Sequence, residues 1–210
     1  GGDPDPKQRQ SAEIYNSGTM DGAVDLFRDD ETYYIDFIFV NSGSITGDVR
    51  FSIGNDLFDG RGGTVGTVDG GYGHDTILTG LGAQTLIGGV GRDFLSGGAN
   101  RDTLIGGGGA DTFRFEKGFG VDTIADFDGA AGDRVEIRGY GAWQSKLQVG
   151  NDVVITFDSG NQLIFANRTL AQVSNSYFVW NAPVIPNNRI PDAPPAPDAP
   201  IEPVIDNSTP

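Results

Sequence analysis

The chain has 210 residues, of which 37% are hydrophobic and 33 are Gly, and its formal charge is −15, from 29 acidic and 14 basic residues. That balance speaks against nucleic-acid binding, because phosphate contacts need Lys and Arg. It favours hard cations such as Ca²⁺ or Mg²⁺. There is no Cys, which excludes disulfides and thiolate metal sites, and no stretch approaches the length of a membrane-spanning helix.

The N-terminus, GGDPDPKQRQ, has neither an initiator Met nor a signal peptide and reads as a mature form or a fragment. Residues 1–40 are expected to form an N-terminal segment, disordered over the first ten residues. In it, TYYIDFIFV (Thr32 to Val40) reads as a strand and AVDLF (Ala23 to Phe27) as a second one. Tyr33, Tyr34, Phe37 and Phe39 are expected in the core.

The middle is periodic. Five nine-residue units follow one another from Gly70 to Arg114: GGYGHDTIL, TGLGAQTLI, GGVGRDFLS, GGANRDTLI and GGGGADTFR. Weaker units flank them: FSIGNDLFD (Phe51 to Asp59), the ten-residue GRGGTVGTVD and the similar NSGSITGDVR upstream, and KGFGVDTIA (Lys117 to Ala125) downstream. Each unit joins a Gly-rich half ending in Asp to a three-residue strand with one large apolar residue, in turn Ile77, Leu86, Leu95, Leu104 and Phe113. One such strand cannot bury its apolar side chain alone, whereas stacked copies bury a continuous core. Two units per coil turn place Asp56, Asp75, Asp93 and Asp111 on one side and Gln84, Asp102 and Asp122 on the other. Carboxylates stacked at about 4.8 Å repel by roughly 3 kcal/mol at an effective dielectric near 20. A cation that accepts six to eight oxygens, carbonyls included, relieves this, and Ca²⁺ is such an ion.

DVVITFDSGNQLIFA (Asp152 to Ala166) reads as a hairpin turning at Asp158, Ser159 and Gly160, followed by a helical turn at Thr169 to Val173 and a strand at Tyr177 to Trp180. Trp143 and Trp180 are assigned to packing. This segment would close the open end of a solenoid. From about Asn181 the chain holds nine of its eleven prolines and no aromatic residue, which predicts an extended or disordered tail. The fold expected is all-β: a two-sheet parallel β-roll over 41–137, a C-terminal β cap over 138–180 and a Pro-rich disordered tail over 181–210.

The units GGYGHDTIL, GGVGRDFLS and GGGGADTFR match G-G-x-G-x-D-x-U-x at every fixed position. They resemble the repeats-in-toxin (RTX) nonapeptide, a calcium-binding parallel β-helix repeat, and GADTFRFEKGFGVDTIADFDGAAGDRVEI resembles the closing segment of such domains. The resemblance implies a right-handed roll. It also implies about four Ca²⁺ ions, held between Asp56 and Asp75, Asp75 and Asp93, Asp93 and Asp111, and Asp102 and Asp122. Carbonyl donors would be Gly71, Gly73, Gly88, Gly89, Val90, Gly91, Gly106 and Gly108. The sequence departs from the pattern at Gln84, where a site paired with Asp102 is expected to be weak or empty, at Asn100 in place of the fourth-position Gly, in the missing Gly pair of the Asp56 unit, and at the two additional residues Phe115 and Glu116. Asp126, Asp128 and Asp133 either finish the last sites or lie in a solvated loop.

The family's members are exported unfolded by type I secretion and fold in external calcium. The chain is therefore expected to be a secreted, extracellular or cell-surface calcium-binding module of a structural or adhesive protein, meeting a cell-surface or matrix partner. The alternative is the ancillary C-terminal folding and secretion domain of a secreted enzyme or toxin. No H-E-x-x-H or G-x-S-x-G motif is present, and the single His, His74, falls at a variable loop position expected to face solvent. The chain itself is not expected to be an enzyme.

Overall fold

A computed structural model describes residues 9–26 and 34–181. The Pro-rich tail from 182 onward and residues 1–8 and 27–33 lie outside the described residues.

The chain winds as a stack of parallel turns. The first contributes β1 (Arg9–Asn16), β2 (Thr19–Met20) and β3 (Val24–Asp25), and the second β4 (Tyr34–Asn41), β5 (Ser44–Ile45) and β6 (Val49–Arg50). Two strands per turn follow: β7 (Leu57–Gly60) and β8 (Thr67–Asp69), β9 (Thr76–Thr79) and β10 (Thr85–Gly91), β11 (Phe94–Ser96) and β12 (Thr103–Gly109), β13 (Thr112–Glu116) and β14 (Val121–Ile124). Then come β15 (Arg134–Arg138), the strands β16 (Ser145–Val149), β17 (Asp152–Thr156) and β18 (Gln162–Phe165), and β19 (Phe178–Trp180). Among the described residues these strands form two large sheets, one ordered β1-β4-β7-β9-β11-β13-β15-β19 and the other β16-β17-β18-β14-β12-β10-β8-β6-β3, with β2 and β5 pairing at the corner between them.

The register explains the core. In the first sheet Phe39, Phe58, Ile77, Leu95, Phe113, Val135 and Phe178 stand one above another. In the second, Val24, Val49, Val68, Leu86, Leu104, Ile124 and Phe165 do the same. From Phe39 to Phe178 and from Val49 to Phe165 every member is buried, as stacked units with one inward side chain per strand require. A parallel two-sheet roll is therefore the fold.

The roll begins upstream of residue 41. β4 pairs with β7 and β1 with β4, both in parallel, so residues expected to form a separate N-terminal segment supply strands to the same two sheets. Their turns are not nonads, and a different device stacks them. Asn16 Nδ2 donates to Asn41 Oδ1 at 2.8 Å, Asn41 Nδ2 donates to the Thr64 carbonyl at 3.0 Å, and each Asn Oδ1 accepts a Gly N–H two residues on. These neutral amides satisfy one another.

At the far end β17 and β18 form the expected antiparallel hairpin, with β16 on its outer side and β18 laid in parallel on β14. Aromatic rings fill this end. Phe127 meets Phe165 edge-on at 5.0 Å, Trp143 lies 5.1 Å from Phe178, and Phe119 contacts both Tyr140 and Phe157. The helical turn lies at Asn175–Tyr177, just after the expected Thr169 to Val173, where backbone hydrogen bonds from Gln172 and Val173 to Thr169 make a turn.

Candidate metal centre

Two columns of side chains line the corners where the chain passes between sheets. In the first column each Asp reaches toward the preceding turn. Asp56 Oδ1 accepts from Phe37 N–H, Asp75 Oδ1 from Asp56 N–H, Asp93 Oδ1 from Asp75 N–H, and Asp111 Oδ1 from Asp93 N–H, at 2.7 to 2.9 Å. In the second column Asp102 Oδ1 accepts from Gln84 N–H and Asp122 Oδ1 from Asp102 N–H, both at 2.8 Å. The two sides are thus divided as the nonad phase predicts. The additional residues Phe115 and Glu116 extend β13 and leave Asp122 in register, because Thr103 still faces Thr123.

The other carboxylate oxygen decides what this arrangement can do. In Asp56, Asp75, Asp93, Asp102, Asp111 and Asp122, Oδ2 is buried and has no hydrogen-bond partner. Leaving a buried acceptor unpaired costs about 1–3 kcal/mol, more if it is charged, so six such oxygens in register call for a common partner. Each of these side chains is at most 2% exposed.

The glycines show where that partner fits. A Cβ placed on Gly70 would lie 2.5 Å from Asp75 Oδ2 and 2.6 Å from the Gly88 carbonyl; on Gly88 it would lie 2.5 Å from Asp93 Oδ2 and 2.7 Å from the Gly106 carbonyl. Gly97 and Gly106 would likewise crowd Asp102 Oδ2 and Asp111 Oδ2. Each leading Gly thus leaves a small space faced by an unpaired carboxylate oxygen, and at Gly70 and Gly88 by a carbonyl of the next turn as well. Among the described residues no three acidic or His side chains converge on one point. A cation here must take carboxylates and main-chain carbonyls together, a donor set suited to Ca²⁺.

Of the other carbonyl candidates, Gly71 and Val90 also serve the ladder: Gly71 O accepts from Val90 N–H and Val90 O from Gly73 N–H. Gly73, Gly89 and Gly91 have positive φ, as does Gly71, and Gly108 pairs with Val90 across β10 and β12. At Gly91 a side chain would run into the Gly73 carbonyl of the turn before. Asn100 keeps the left-handed conformation of the Gly it replaces, with φ 94°, a region that Asn tolerates better than most residues.

Electrostatics agree with the geometry. Burial pushes the Asp75 carboxyl up to about 9, with the charges of Asp56 and Asp93 adding to the effect. Burial also lifts Asp122 to about 8, Asp56 and Asp93 to about 7, and Asp102 and Asp111 to about 6. Without a cation these groups resist ionisation.

The three acids left open by the sequence have other work. Asp133 ends the first column, but both its oxygens accept backbone N–H groups, from Asp111 and Asp128. Asp126 accepts from Gly106 and Gly107 N–H, and Asp128 from Ala130 and Ala131 N–H. They cap the end of the stack. His74 is half-buried and Nδ1 accepts from Arg92 N–H at 2.8 Å, in a side ladder that also joins Asn55 to His74 N–H.

The family described as RTX calcium-binding nonapeptide repeat (4 copies) matches residues 67–83 and 78–113. The turns that carry Asp75, Gln84, Asp93, Asp102 and Asp111 match RTX repeats. No curated protein matches the chain. Among solved structures, the extracellular lipase LipA from Serratia marcescens is similar at 17% identity and a TM-score of 0.36, over 70% of this chain and 39% of the lipase. Residues 67–113 are thus calcium-binding repeats within a parallel two-sheet roll.

The leading glycines of the RTX repeats provide a direct check. Gly88→Ala puts a methyl group between Asp93 Oδ2 and the Gly106 carbonyl. We expect calcium affinity to fall by roughly tenfold, the equivalent of about 1.4 kcal/mol, in a calorimetric titration. Gly141→Ala, where nothing lies within 4 Å, should titrate like the parent chain.

Proposed function

We propose that this chain is an extracellular module that folds as it binds about four Ca²⁺ ions, and that it serves a structural or adhesive protein exported by type I secretion. The ions would sit between Asp56 and Asp75, Asp75 and Asp93, Asp93 and Asp111, and Asp102 and Asp122, with carbonyls of the Gly-rich loops completing each site. The observation that carries this reading is the set of six buried, unpaired Oδ2 atoms in two columns.

The mechanism is linkage. In a cytosol poor in calcium, the acidic loops repel one another and the buried carboxylates have no counter-charge. At millimolar external calcium, binding free energy becomes folding free energy, and a site at tenfold its dissociation constant adds about 1.4 kcal/mol. The module is a binding and folding device and performs no catalysis of its own.

Circular dichroism during a calcium titration tests this. The β signal should rise with calcium and fall again on chelation, while native mass spectrometry counts the ions bound. A spectrum and mass indifferent to calcium would overturn the reading.

A further inference from the structure

The outer face of the first sheet is withdrawn from water more than the winding of the roll requires. Side chains that alternate with the inward row point outward. Leu57, Thr76, Phe94, Thr112 and Arg134 stand in line across β7, β9, β11, β13 and β15, with Leu78 beside them. Yet Leu57, Thr76, Leu78 and Phe94 are at most 8% exposed. Their counterparts on the second sheet, Thr85, Ile87, Thr103 and Ile105, are only half-buried. The Arg114 guanidinium, 4.2 Å over the Phe94 ring, covers one of the four. Two polar groups on this face have no hydrogen-bond partner: Thr76 Oγ1 and Arg138 Nε. Both side chains are buried, at 1% and 7% exposure. A buried donor without an acceptor is costly, so the face calls for a covering segment that brings carbonyl oxygens.

The outward line also has a period. Large Leu57, Phe94 and Arg134 alternate with the smaller Thr76 and Thr112, so notches recur at every second strand, about 9.6 Å apart. The Pro-rich tail carries a matching period. Pro191, Pro194, Pro197, Pro200 and Pro203 fall at every third position, which sets them along one edge of a polyproline II helix of about 9.3 Å per turn.

We propose that residues 182–210 dock in polyproline II form along the outer face of the first sheet, with the Pro ridge seated over the Thr76 and Thr112 notches. The tail starts at the right place, because β19 closes this same sheet and Asn181 N–H still donates to the Ile137 carbonyl. It also has the reach: β19 to β7 is five strand spacings, about 24 Å, which about eight residues of polyproline II cover. Pro has no N–H to leave unpaired, while its carbonyls supply acceptors for Thr76 and Arg138. Apolar, aromatic-lined grooves are the usual seats of such segments, since the helix is ordered before it binds. The tail is thus a strap along the roll.

The chain has no Cys, so Asp198→Cys, off the Pro ridge, takes a single nitroxide label for electron paramagnetic resonance on the full chain in excess CaCl₂. A labelled peptide of residues 182–210 serves as the free reference. In the full chain the fast-tumbling component of the spectrum should be lost. It should return with Leu78→Asp, and with Pro194→Ala and Pro197→Ala together, which leave the roll untouched even if the Leu78 variant fails to fold. Pro195→Ala, off the ridge, should keep the slow spectrum. A full chain with its β signal formed and a label as mobile as the peptide's would overturn the strap and leave the calcium reading standing. A slow label indifferent to both the Leu78 and the ridge substitutions would overturn this face as its seat. A slow label that frees on dilution, in a chain that sediments as a dimer, would put the tail on a second copy and overturn docking within the chain.

Discussion

Asp93→Ala should remove two ions at once and raise the calcium concentration at the folding midpoint further than any substitution at Gln84. Asp93 stands between Asp75 and Asp111 in its column, so in the proposed arrangement it serves two sites. With each site at tenfold its dissociation constant, two lost sites withdraw about 3 kcal/mol of linkage. The change also strips Asp75 N–H of its acceptor, Asp93 Oδ1, which costs about 1–3 kcal/mol for a buried donor. Against a typical domain stability of ~5–15 kcal/mol, that loss is large. Without calcium the sign reverses in part, since the substituted side chain has no carboxylate to desolvate. The variant should therefore show a weakened calcium response together with a smaller difference between its bound and chelated spectra. Calcium midpoints equal to those of Gln84→Ala would show that Asp93 does not serve two sites.

The second large effect is on pH. The six Asp carboxyls are held, in the metal-free fold, at values from about 6 to about 9 by burial, whereas in the unfolded chain they titrate near 3.9. Between those limits the folded state binds more protons than the unfolded one, so stability falls as pH rises. The contribution is complete below about pH 4 and is lost as pH climbs through about 6 to 9. In chelator, the chain should thus hold more β structure near pH 5.5 than near pH 8. With calcium the order inverts, because the ion must displace the protons and their release weakens binding in acid. Proton release on calcium addition, read from calorimetry in buffers of different ionisation enthalpy, should accompany folding near pH 7. A metal-free chain equally unfolded at both pH values would show that these carboxyls are not buried in that state.

Much of this was legible in the sequence because the nonad couples chemistry to period. A nine-residue unit with Asp at the sixth position and an apolar residue at the eighth fixes which side chains stack and which corner they share. Both columns and the inward row from Ile77 to Phe113 follow from that. The hairpin of β17 and β18 was readable from alternation about Asp158, Ser159 and Gly160. What the pattern did not reveal were contacts between units of unequal length. Asn16 and Asn41 lie 25 residues apart, so their stacking has no nonad phase, and the N-terminal turns looked separate from the roll. Asp126 and Asp133 resemble site acids in sequence, but Asp111 to Asp133 spans 22 residues, and the longer loop turns both carboxylates onto backbone N–H groups. Asp122, displaced by Phe115 and Glu116, stays in its column because β13 absorbs both residues as added strand. At Gln84, identity foretold a weak or empty site, whereas the hydrogen bond from Thr79 Oγ1, at the head of the same unit, to the Gly97 carbonyl needed the fold.

The most direct test is anomalous diffraction from crystals grown in excess calcium. An ion should appear between the Asp75 and Asp93 loops, with Asp75 Oδ2 and main-chain carbonyls at about 2.3–2.6 Å. Absence of anomalous density there, with the two Oδ2 atoms instead satisfied by protons, water or neighbouring N–H groups, would contradict the account.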